Sequence, residues 1–105
     1  MSYQALQSSA VFVVHLPDQF DSLAVEQLRE LFTSLAENEN SNVEFDFSRV
    51  TFIDSSAIGA VVFLYKRLTA QNREISITGA VGQPLELMQF LRIDKVITLQ
   101  PNLHI

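Results

Sequence analysis

Cysteine is absent from the chain, and with it go disulfide staples, thiol nucleophiles and thiolate metal sites. Histidine occurs twice, at His15 and His104, too far apart in sequence for a local ligand pair, so neither a metal nor any other cofactor is expected. The three glycines, Gly59, Gly79 and Gly82, form neither G-x-x-x-x-G-K-[ST] nor G-x-G-x-x-G, which removes the two common phosphate loops. Basic residues are scarce, seven against twelve acidic for a net charge of -5, and none of them cluster, so nucleic acid is a poor partner. Long apolar runs are missing too. No stretch approaches the ~20 residues that cross a bilayer, and the opening MSYQALQSSA lacks the basic, apolar and small-residue order of a secretion signal. A soluble, cytoplasmic protein is therefore expected. Its 105 residues make one domain, 1–105, large enough to bury roughly two thirds of its unfolded surface.

What is present alternates between strand and helix patterns. Tyr3 to Leu6 and Ala10 to Leu16 suggest an opening hairpin whose second, β-branched arm is buried on both faces. His15 in that arm reads as a packed or edge residue, and Pro17-Asp18 ends the strand. Asp21 is placed to cap a helix over Ser22 to Glu37, with Glu26 near the positive end of its dipole and Leu23, Leu28, Leu31, Phe32 and Leu35 at helical spacing. Val43, Phe45 and Phe47 alternate with Glu44, Asp46 and Ser48, the period of a strand with one buried and one wet face. A helix follows from Ala57 to Arg67, then a half-buried strand over Glu74 to Thr78 with Ile75 and Ile77 inward. Gly79 to Gly82 reads as a flexible turn. Pro84 suits the first position of a helix over Leu85 to Arg92, striped by Leu87, Phe90 and Leu91, and Val96 to Leu99 is a short last strand. A sheet covered on both sides would need continuously apolar strands, so the pattern predicts a two-layer α/β domain, a mixed sheet with its helices mainly on one face.

The chemistry concentrates at Asp54-Ser55-Ser56, where the central strand meets the central helix. A serine at a strand-to-helix turn suggests a hydrolase nucleophile, but Ile53-Asp54-Ser55-Ser56-Ala57 has no glycine on either side of the serine and no histidine placed to act as base. No enzymatic activity is expected. A phosphate on either serine, in contrast, would meet the free amides and positive dipole end of a helix N-terminus, changing the surface more than the fold. It would add roughly -1.5 to -2 charges beside Asp54 and near the acidic loop of Asp18 and Asp21. Both hydroxyls lie at the helix start, and the physics does not choose between them.

These residues resemble the STAS domain and, within it, the anti-sigma factor antagonists of partner-switching pathways. Phe52-Ile53-Asp54-Ser55-Ser56-Ala57-Ile58-Gly59 is similar to the signature F-x-D-S-[ST]-G-L-G, with Ala57 where glycine is usual, and Leu16-Pro17-Asp18-Gln19-Phe20-Asp21 is similar to the loop L-x-G-E-L-D. The resemblance implies that Ser55 is phosphorylated, with Ser56 second in line, by a serine kinase that is also the binding partner and anti-sigma factor. It implies that a PP2C-type phosphatase resets the switch, and that Asp21, Asp54, Ser56, Ala57 and Ile58 belong to the partner-binding face. It also leaves room for a constitutive subunit of a transporter or other regulatory complex. Phe63, Leu64 and Tyr65 cannot all face the core, so apolar surface on the central helix is available for such a role.

Overall fold

The computed structural model describes residues 10–38 and 40–101. Three β-strand-to-helix passages organise it. The first strand, β1 (Val11–His15), leads through the two-residue β2 (Gln19–Phe20) into helix α1 (Ser22–Glu37). The second, β3 (Asn42–Asp46), leads through the two-residue β4 (Phe52–Ile53) into α2 (Ser55–Ala70). The third, β5 (Ile75–Thr78), leads into α3 (Gly82–Phe90), a short 3₁₀ turn (Ile93–Lys95) and β6 (Thr98–Gln100). Because each strand returns to the sheet through a helix, β1, β3, β5 and β6 lie side by side in that order and pair in parallel. The first arm of the expected hairpin, Tyr3 to Leu6, which would make the sheet mixed, lies outside the described residues.

The alternation in β3 sets the two faces. Val43, Phe45 and, just past the strand, Phe47 are buried, in register with Phe12 and Val14 of β1 and with Ile75 and Ile77 of β5. Helices α1 and α2 cover this inner face, with the Phe32 and Phe45 ring centroids 5.4 Å apart. The opposite face carries Val13, His15, Glu44, Asp46, Ser76 and Thr78. It is polar at its centre but less wet than the pattern suggests. Asp46 is buried, its Oδ2 2.8 Å from His15 Nδ1, and the Thr78 hydroxyl donates to Glu44 Oε2 at 3.1 Å. Burial raises the Asp46 pKa, but the amide and hydroxyl of Ser48, with His15, outweigh that and hold the carboxyl below its ordinary value.

Several sequence expectations are corrected. β1 is not buried on both faces: Val11 and Phe12 are exposed, as residues of an edge strand of the described sheet. In α1 the helix phase turns Ala24, Phe32, Leu35 and Ala36 inward and leaves Leu23 67% exposed. Helix α2 starts earlier than the Ala57 expected, because Asp54 caps it one residue ahead of Ser55, and it closes at Ala70 with Gln71 as its C-cap. Helix α3 begins at Gly82, so Pro84 is its third residue, and its buried residues are Pro84 and Met88, while Phe90 is 82% exposed. The last strand starts at Thr98, since Arg92 turns left-handed and the 3₁₀ turn takes up the intervening chain. Gly79 is a required glycine rather than a loose link. Its φ is 75°, and a Cβ there would stand 3.1 Å from Ser48 Cβ.

Candidate functional site

Strands β2 and β4 are only two residues long, but they place the site. They pair in parallel with Phe20 opposite Ile53, so the next residues, Asp21 and Asp54, stand level at the starts of α1 and α2. Both are extended, with φ of -123° and -121°, the geometry of a helix N-cap. Asp21 Oδ1 accepts the Ala24 amide at 3.1 Å, and Asp54 Oδ1 accepts the Ala57 amide at 3.0 Å. Asp54 does more than cap its own helix, because its Oδ2 also accepts the Ser22 amide of α1 at 3.1 Å. One carboxylate thus joins two helix N-termini.

Asp54 is the cap. Ser55 and Ser56 are the first and second residues of α2, both exposed, and neither hydroxyl has a hydrogen-bond partner among the described residues. Of the other residues expected on this face, Asp21 and Asp54 are half-buried, Asp54 immediately ahead of the serine pair and Asp21 level with it at the start of α1, Ile58 is half-buried, and the Ala57 side chain is 1% exposed beneath the turn. Asp18 is tied to the connection that leads into β4: its carboxylate accepts the Thr51 hydroxyl and its carbonyl accepts the Thr51 amide at 2.9 Å. Exposed apolar side chains flank this end of the molecule, Leu23 on α1, Phe52 on β4 and Val81 at the start of α3.

Gln83 was not legible as a site residue. Its side-chain amide donates to the Ile53 carbonyl and accepts from the Ile53 amide, both at 2.9 Å, completing the edge of β4 that faces away from β2. The only signal in the sequence is a polar side chain directly ahead of Pro84. Among the described residues no group of His, Asp and Glu has the geometry to hold a metal, and no helix is long and apolar enough to cross a membrane.

The family model of the STAS domain matches residues 2–104. This chain belongs to the STAS domain family. Solved structures agree on the fold of this STAS domain. It is similar to the anti-sigma factor antagonist SpoIIAA in its unphosphorylated form, with 25% identity, a TM-score of 0.64, and 82% of this chain and 88% of that chain covered. It is also similar to the Bacillus cell fate determinant SpoIIAA in the phosphorylated form, at 21% identity and a TM-score of 0.74 over 90% and 84% of the two chains. An anti-sigma-factor antagonist (STAS) domain protein from Planctomyces limnophilus matches at 24% identity and a TM-score of 0.77, over 88% and 82%. The STAS domain therefore resembles anti-sigma factor antagonists. The same fold extends to a sulfate transporter family protein from Wolinella succinogenes, at 11% identity and a TM-score of 0.73, with 86% and 75% covered.

Proposed function

We propose that this STAS domain is a phosphorylatable binding switch. Unmodified, it binds a serine kinase that is also an anti-sigma factor; phosphorylated on Ser55, it releases it. Ser56 is the second choice of acceptor. The observation that carries the reading is the division of labour at the start of α2. Asp54 takes the capping role, and that leaves an exposed, unengaged hydroxyl at the first helical position. In the transfer, Ser55 Oγ forms a bond to the γ-phosphorus of ATP, the bond to the β–γ bridging oxygen breaks, and ADP leaves. The hydroxyl proton passes to a base on the kinase. Hydrolysis by a PP2C-type phosphatase returns the hydroxyl and releases inorganic phosphate. Kinase, phosphatase and switch are taken to share the cytoplasm.

The phosphate would sit against the free first-turn amides of α2, which favour it, and beside Asp54 and Asp21, which repel it. Its two negative charges leave the helix intact while setting a dianion in a face framed by Leu23, Phe52 and Val81. A partner that covers that face would have to desolvate it, and binding is lost. The test is incubation with ATP and the anti-sigma-type serine kinases encoded in the source genome, followed by mass-spectrometric mapping. Phosphate on Ser55 is expected; no phosphate on Ser55 or Ser56 with any of them refutes the reading. The second reading, a constitutive subunit of a transporter or larger regulatory assembly, draws on Phe63 of α2, which is 48% exposed without a role in the turn. It predicts a stable co-purifying complex that kinase and ATP do not dissolve.

A further inference from the structure

Helix α2 contains a glycine that no contact among the described residues requires. Gly59 is the fifth of its sixteen residues and is exposed. Its φ is not in the left-handed region, and apart from its own stretch of helix a Cβ built on it meets no atom of the described residues within 4 Å. Glycine is the least favourable helix-interior residue after proline, so α2 forgoes stability here with nothing in return among the described residues. The contrast is Gly79, where both the positive φ and the contact with Ser48 demand glycine.

The position of Gly59 says what the open space serves. It lies one turn after Ser55 and one turn before Phe63, so the three share one row on α2. Phe63 is half-exposed, with the Arg67 guanidinium carbon 5.4 Å from its ring centroid. Beside this row a cavity of about 240 Å³ opens between α1 and α2, lined by Val25, Phe32, Ala60 and Phe63 among others.

We infer that Gly59 is where the backbone of the phosphorylating kinase lies directly against α2, a specificity contact that any side chain would obstruct. This rests on the reading of Ser55 as phosphoacceptor. An enzyme that brings ATP in line with Ser55 Oγ must cover the first turn of α2, and the residue one turn below falls under its body. The absent side chain admits backbone at van der Waals distance, and Phe63 and the groove behind it offer an apolar anchor next to that contact.

The test is Gly59→Ala, read by thermal unfolding and by steady-state phosphorylation of Ser55 with the same serine kinases and ATP. The Tm is expected to rise by about 4 °C, because alanine favours the helix and meets open space. The KM for the protein substrate is expected to rise about tenfold with kcat nearly unchanged, the pattern of lost docking rather than lost chemistry. A fall in Tm would give Gly59 a role within the fold and overturn the inference. So would a raised Tm with unchanged KM, which removes only the role of Gly59. If the unaltered chain takes no phosphate, the reading of Ser55 falls and this contact falls with it.

Discussion

Asp54 and Asp21 occupy equivalent positions and have unequal tasks. Each caps its own helix, but Asp54 spends its second oxygen on the Ser22 amide across the helix pair. Replacing Asp21 with Ala should cost about 1 kcal/mol, the usual loss for a removed cap. Asp54→Ala should cost about 2 kcal/mol, since two amides lose their acceptor. Asp54→Asn should fall between the two, its amide oxygen keeping one bond while its NH₂ group cannot accept the other. Urea unfolding of the three variants orders them. A second residue-scale expectation concerns Asp46, whose folded pKa lies below its ordinary value of 3.8. A depressed carboxyl stabilises the fold while ionised, so its contribution is present above about pH 4 and is lost as pH falls through the folded pKa. Unfolding free energy measured from pH 6 down to pH 2 should decline more steeply for the unaltered chain than for Asp46→Asn.

At the scale of elements, the helices and long strands were legible because their periods repeat. Asp21 and the apolar spacing locate α1, and Val43, Phe45 and Phe47 locate β3 and its buried face. The elements that build the site were not legible. Two residues of β2 or β4 contain no period, and their parallel pairing exists only once the β3 and α1 segments are in place. The errors at Leu23 and Phe90 share a cause. Bulk apolar side chains drew the stripe, whereas the helix phase turned the smaller Ala24, Pro84 and Met88 inward. The Asp54-Ser55-Ser56 turn was visible as a helix start, but which residue caps and which stays free depends on hydrogen bonds that the sequence does not specify. Gln83 gives this level its own test. Gln83→Ala strips both backbone partners from the free edge of buried Ile53 and should cost about 1–3 kcal/mol, with faster amide hydrogen exchange at Ile53. Gly79→Ala should also destabilise, by about 1–2 kcal/mol, through positive φ and the Ser48 contact, the opposite sign to Gly59→Ala in the same unfolding measurement.

At the scale of the whole molecule, the two long helices run in the same direction. Asp54 joins their N-termini, and at the other end Gln71 of the α2 cap donates to the Ala36 carbonyl of α1 at 2.8 Å. Parallel helices gather two positive dipole ends beside one exposed serine pair, and two negative ends at the far pole. In the proposed switch, this pole is the one that takes the phosphate, where both dipole ends favour an anion. A phosphate there should leave the fold and the Tm nearly unchanged while altering what the face can bind. The most direct test of that claim is calorimetric titration of a serine kinase that phosphorylates Ser55 with two forms of the chain, one unmodified and one carrying phosphoserine at position 55. Binding by the unmodified chain and an affinity about 100-fold or more weaker for the phosphoserine form, consistent with burying an uncompensated charge, is the predicted result; equal affinity of the two forms would contradict the account.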